Sequence, residues 1–228
     1  MKSIAQNLQC LNKQIVGAEQ KYARSPGSVT LLVVSKTHPA EKIRIAAGCG
    51  QRHFGESYLQ EALPKIREID DPGLIWHFIG PIQSNKTRGI AENFSWVHSV
   101  DRARIAGRLN DMRPQQLPPL NICIQINVSG EATKSGIEPE QLATMAAEIN
   151  DLPRLRLRGL MTMPEATSDV TAQRRAFSRL REGLEKLQGA GYQLDTLSMG
   201  TTHDMEAAIA EGATIVRIGT AIFGPREK

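Results

Sequence analysis

Lys36 closes a run of apolar residues, Leu31, Leu32, Val33 and Val34, with only Ser35 between. Such a run reads as a strand buried on both faces, which brings an amine to the rim of a core. Burial disfavours the charged form of an amine, and a neutral amine attacks carbonyls, so one reading of Lys36 is Schiff-base chemistry. The other is that it snorkels to water or pairs with a carboxylate. Two stretches near the C-terminus carry groups of a second kind. "SMGTTHDME" (198–206) sets a glycine and hydroxyls before a helix, and "RIGTAIFG" (217–224) puts Gly219 and Thr220 at the end of an apolar run. Glycine amides, hydroxyls and a helix start together make a phosphate cradle, although glycines that merely permit tight turns explain either motif alone. An amine opposite a phosphate cradle fits a phosphorylated aldehyde. Pyridoxal 5′-phosphate (PLP) is the obvious candidate, and a sugar-phosphate aldolase would use the same two features.

Those residues need elements to hold them. Strand-like runs recur at 30–35, 52–56, 76–80, 96–100, 121–129, 155–163, 195–200 and 214–224, with amphipathic helical stretches between. Strict alternation predicts parallel strands with helical crossovers. Eight strands in this length predict a single (β/α)8 TIM barrel over 1–228, with the first helix, Ile4 to Tyr22, packed outside it. A doubly wound open sheet is the alternative, but its usual GxGxxG turn is missing. In a barrel the reactive residues gather at the C-terminal strand ends. Lys36, Ser57, Asn127, Ser198, Arg217, Gly219 and Thr220 all fall there, and no paired carboxylates or His/Asp cluster of a metal hydrolase accompany them.

Composition narrows the class further. The net charge of +4 comes from scattered arginines and aromatics are 4% of residues, unlike the concentrated basic, stacking face of a nucleic-acid binder. Cys10, Cys49 and Cys123 are odd in number and far apart, which predicts neither disulfides nor zinc and suits the cytoplasm. No stretch reaches the roughly 18 apolar residues of a membrane span, and the N-terminus does not read as a signal peptide. Among the aromatic and titratable side chains, Trp76 and Trp96 are expected between barrel and helices, His77 as a satisfied core or rim histidine, and Tyr58 as a packing residue at a helix start. His38 reads equally as a solvated loop residue or as an influence on Lys36.

"VVSKTHP", "FGESYLQE", "WHFIGPIQSNK", "SMGTTHDMEAAI" and "VRIGTAIFG" closely resemble the YggS/PROSC family of PLP-binding proteins, over nearly the entire chain. The resemblance implies a barrel like the N-terminal domain of alanine racemase, with PLP carried as a Schiff base on Lys36. By motif it places Ser198, Thr202, Gly219 and Thr220 at the phosphate, Arg217 beside the pyridine nitrogen, and Asn85 and Lys86 near the mouth. Ser57 stands where the family usually has asparagine, and Thr201 and His203 also depart from the pattern. Family members are regarded as vitamin B6 homeostasis proteins, which implies a monomeric carrier with no catalytic residues. It would bind PLP and other B6 vitamers and make transient contact with PLP-dependent apo-enzymes.

A carrier and a low-activity amino-acid racemase differ in their proton donors. Arg217 keeps its proton and discourages protonation of the ring nitrogen. A racemase needs a donor on each face of the substrate carbon, and alanine racemase completes its site through a dimer with an added C-terminal domain. This sequence ends at Lys228, soon after the last strand, so the expectation is a carrier, with Tyr58 and Tyr192 as the remaining candidate donors.

Overall fold

Eight parallel strands follow one another around a closed barrel: Thr30–Val34 (β1), His53–Glu56 (β2), Ile75–Phe78 (β3), Trp96–Val100 (β4), Leu120–Gln125 (β5), Leu155–Met161 (β6), Thr196–Ser198 (β7) and Ile215–Ile218 (β8). β8 closes the ring on β1, with Leu32 level with Arg217 and Val33 level with Ile218. The computed structural model describes residues 3–129 and 135–224; the tail that ends at Lys228 lies outside the described residues.

Helices cover the outside: Ile4–Lys21 (α1), Ala40–Gly48 (α2), Leu59–Ile69 (α3), Thr87–Asn93 (α4), Ala103–Met112 (α5), Leu142–Asn150 (α6), Val170–Gly189 (α7), Met205–Ala210 (α8) and Thr220–Phe223 (α9). The helix α1 starts at a capping box in which Ser3 and Gln6 satisfy each other's backbone amides. It then buries Leu8, Leu11, Ile15 and Ala18, the three- and four-residue spacing of one face. Asp169 caps α7 by accepting from the Thr171 amide.

The molecule has two interiors. One is a continuous apolar layer between strands and helices, which includes Val33, Phe54, Phe78, Ile122 and Leu160. The other is the barrel lumen, whose buried Leu32, Cys123, Met161 and Ile215 stand outside that layer. The lumen also holds polar groups, the hydrogen-bonded His77, His98, Ser198 and Arg217.

Three elements differ from the sequence reading. The apolar run 214–224 stops as a strand at Ile218, and Thr220–Phe223 turns into α9. Gly219 stands at the switch as the residue before α9, packed so closely that a Cβ there would meet the Val34 carbonyl oxygen at 2.9 Å. Trp96 packs not between barrel and helices but against the lumen, stacked on His77 with the Arg158 guanidinium 4.8 Å over its ring. His38 is not a solvated loop residue. It is buried, 4.7 Å from the ring of Phe223.

Tight strand pairing makes a specific demand at Gly159, where a Cβ would run into the Thr196 carbonyl oxygen. The obstacle is backbone and cannot rotate away, so Gly159→Ala should destabilise the protein by about 3 kcal/mol or more, the upper end of overpacking costs. Urea unfolding measures this, and an unchanged midpoint would show that the β6–β7 contact is not tight.

Candidate functional site

Lys36 sits two residues beyond β1. Strand alternation continues the inner face through Leu32 and Val34 toward it, and it is half-buried. The next residue, Thr37, has φ of +66°, a left-handed backbone that is unusual for a β-branched side chain. The Glu61 carboxylate holds this turn by accepting a short hydrogen bond from the Thr37 amide.

Behind Lys36, on the outer face of the wall, lies a bracket of buried polar groups. Glu56, at the end of β2, accepts from the Ser35 hydroxyl at 2.7 Å and from the Lys65 ammonium at 3.0 Å. Lys65 also donates to the Ser35 carbonyl at 3.0 Å and to Glu61 of its own helix. Burial pushes the Glu56 carboxyl up, while Lys65 and the Ser35 hydroxyl oppose the shift. The bracket fixes the backbone on both sides of Lys36.

Arg217 occupies the upper lumen, 5% exposed. Its Nη1 donates to the Ser198 carbonyl at 2.6 Å and hydroxyl at 2.8 Å, and its Nη2 to the Thr162 carbonyl at 2.8 Å. Burial lowers the guanidinium to about 10, partly offset by Asp204, so it is charged at neutral pH. Asp204 accepts from the amide and hydroxyl of Thr201. The Ser198 hydroxyl lies 2.8 Å from His98 Nδ1, across the barrel from β7 to β4. His98 Nε2 lies 2.9 Å from His77 Nδ1, and His77 Nε2 lies 3.0 Å from His53 Nδ1.

The barrel brings Lys36, Arg217, Gly219 and Thr220 to one rim because β8 pairs with β1. Gly219 and Thr220 open α9, whose first amides have no acceptor within the helix. Thr220 and Thr202 are exposed, while the hydroxyl of Ser198 is committed to Arg217 and His98 in the lumen. Ser57 is buried above β2 with its backbone pressed against Gly80. Asn85 is exposed in the 3-10 turn Ser84–Lys86. Tyr58 is not the packing residue expected: it is 51% exposed.

Sequence reasoning missed Glu56, Glu61, Lys65 and the histidine string. Glu61 and Lys65 carry the i,i+4 spacing of a helical ion pair. His53, His77 and His98 recur 24 and 21 residues apart, roughly one strand–helix unit, and in the strand register each stands two residues further along than the one before, since His77 pairs with Gly55 and with Trp96.

Fold and lumen together define a barrel of the alanine racemase N-terminal class, and residues 3–227 match the family described as alanine racemase, N-terminal domain. The chain belongs to the pyridoxal phosphate homeostasis protein family. The protein of that name from Pseudomonas aeruginosa is 58% identical over 227 residues, covering 100% of this chain and 97% of its own. The Escherichia coli K12 protein is 52% identical over 230 residues, covering 100% and 98%. PipY of Synechococcus elongatus, solved with PLP bound, superposes with a TM-score of 0.85 at 37% identity, covering 97% of this chain and 100% of its own. Alanine racemase from Corynebacterium glutamicum shares the fold, with a TM-score of 0.74 at 17% identity over 98% of this chain and 60% of its own.

Burial pushes His98 from 6.5 down to about 3, with Arg217 adding to the shift, and holds His77 well below its ordinary value. Above pH 6.5 both are neutral whether the chain is folded or not. Below it the unfolded chain takes up protons that the lumen refuses. Stability is therefore complete above about pH 6.5 and is lost as pH falls below it, through about 3 for His98, with His77 acting in the same direction. Urea unfolding at pH 5.5 should give lower stability than at pH 7.5, with about 1 kcal/mol of the loss from His98 alone, and His98→Phe should remove that share. Equal stability at the two pH values would contradict neutral lumen histidines.

Proposed function

We propose that this protein binds PLP at the barrel mouth, holds it covalently through Lys36, and serves as a carrier in vitamin B6 homeostasis rather than as an enzyme. The carrying observation is the rim itself. An amine just beyond β1 and the Gly219–Thr220 amides just beyond β8 share one rim because those strands pair, and the buried Arg217 cation lies just below. These donors fit an anionic, phosphorylated aldehyde. Lys36 would hold the aldehyde carbon; Gly219, Thr220 and Thr202 would hold the phosphate. Ser198 would serve that site through Arg217, and Ser57 and Asn85 would border the mouth.

When bound, PLP supplies an aldehyde reactive toward amines and a ring that withdraws electrons. Arg217, with a pKa of about 10, is a donor at neutral pH and cannot itself take up a ring proton. Placed beside the ring nitrogen it leaves that nitrogen unprotonated, which weakens electron withdrawal and favours holding over turnover. The bracket of Glu56, Glu61 and Lys65 keeps the Lys36 backbone fixed, so the amine returns to one place after each release. A monomer exchanging its cofactor with apo-enzymes or free amines needs no more than this.

Purified protein loaded with PLP should show a bound-cofactor absorption band, and borohydride should trap the cofactor on a peptide containing Lys36. Lys36→Ala should abolish both. A trapped adduct on Lys86, or on Lys134 (which lies outside the described residues), would assign the carrier lysine elsewhere. Thr220→Ala should weaken retention several-fold to about a hundredfold, the loss of one hydrogen bond to a charged group.

Loaded protein should also give no efficient turnover over a panel of amino acids. Racemisation, transamination or decarboxylation at about 1–1,000 per second, lost in Lys36→Ala, would establish an enzyme instead.

A further inference from the structure

The histidine string is used neither by covalent attachment nor by phosphate binding. It runs single file from half-buried His53 on β2, through fully buried His77 on β3 and His98 on β4, to Ser198 on β7 and Arg217 on β8. A string of imidazoles can be protonated in either of two directions, and one end of this one is not free to choose.

A guanidinium only donates, so Ser198 Oγ accepts from Arg217 Nη1 at 2.8 Å. Oγ has one proton of its own. Among the described residues its only other hydrogen-bond neighbour is His98 Nδ1 at 2.8 Å. The proton therefore goes to His98 Nδ1, which must be the bare nitrogen, and the ring's proton sits on Nε2. That Nε2–H donates to His77 Nδ1 at 2.9 Å, and His77 Nε2–H donates to His53 Nδ1 at 3.0 Å. The reverse direction would leave the Ser198 proton without an acceptor in a closed lumen, a cost of roughly tenfold to a hundredfold in population.

We propose that His98, His77 and His53 are positioning residues: they form a one-way hydrogen-bond relay, each in the Nε2–H tautomer, that locks the Ser198 hydroxyl and through it Arg217. Its effect on the cofactor rests on the reading that Arg217 faces PLP; its direction does not. The lumen supports neutral rings throughout, since burial and the Arg217 charge oppose protonation of His98, and burial and the neighbouring imidazoles oppose that of His77. The lock acts from beneath, on a guanidinium that is itself buried.

Long-range proton–nitrogen NMR of cofactor-free, 15N-histidine-labelled protein at pH 7.5 reads the tautomers directly. All three rings should be neutral with the proton on Nε2; an Nδ1–H or charged ring at any of the three overturns the relay. The positioning role is read separately on PLP-loaded protein. His98→Phe keeps the ring's bulk but not its nitrogens, and should shift the bound-cofactor absorption and weaken retention roughly two- to tenfold. His98→Gln, which can accept from Ser198 and donate to His77, should restore both. An unchanged spectrum and retention in His98→Phe, or equal losses in the two variants, overturns positioning. If wild-type protein took up no PLP at all, the proposed function would fail while the NMR result still decided the relay.

Discussion

A guanidinium inside a closed barrel must keep its charge with almost no water, and the lumen is built around that demand. Arg217 is 5% exposed, and its partners are the carbonyls of Thr162 and Ser198 and the Ser198 hydroxyl. Unpaired, such a charge would cost several kcal/mol. The surrounding groups follow from it. His98 is held neutral partly by this cation, and burial pushes the Cys123 thiol up to about 12 against the pull of Arg158 and Arg217. Among the described residues the upper lumen thus carries the fixed positive charge of Arg217 with the neutral imidazole of His98 beside it, while Arg158, paired with Asp195, lies over Trp96.

The wall outside the lumen solves a different problem. Lys36 has to stand at a strand end with its backbone fixed, although a left-handed Thr37 follows it. The neighbouring element α3 supplies the fixing groups, Glu61 to the Thr37 amide and Lys65 to the Ser35 carbonyl, while β2 supplies Glu56 between them. A buried ion pair of this kind adds little net stability, but breaking it by removing one partner leaves a buried charge uncompensated. Its value here is positional. One polar set orients the strand end that bears the amine, another orients the cation beneath the mouth, and the barrel closure between β1 and β8 brings the two together.

Much of this architecture was legible in the sequence because it is local. Apolar runs alternating with amphipathic helices specify eight parallel strands, and Lys36 and Arg217 are conspicuous as polar residues at or within such runs. The end of β8 was not legible from hydrophobicity. "RIGTAIFG" stays apolar past Ile218, and at the switch to α9 Gly219 approaches Val34 closely, a long-range contact that hydrophobicity does not show. The lumen contacts are also long-range: His98 and Ser198 are 100 residues apart and meet only because the barrel closes. Trp96 was misplaced for a related reason, since strand alternation assigns a residue to one of two faces without saying which is lumen. In Lys65 and Glu61 the helical spacing was visible, but not that their target is the turn after Lys36.

The central claim is that one rim, with Lys36 after β1 and Gly219–Thr220 after β8 above Arg217, receives PLP. The most direct measurement is a crystal structure of the PLP-loaded protein. The account predicts electron density continuous from Lys36 Nζ into the cofactor, the phosphate against the Gly219 and Thr220 amides, and the Arg217 guanidinium at hydrogen-bond distance from the ring nitrogen. Cofactor density at another lysine, or a ring nitrogen facing a carboxylate instead of Arg217, would contradict it.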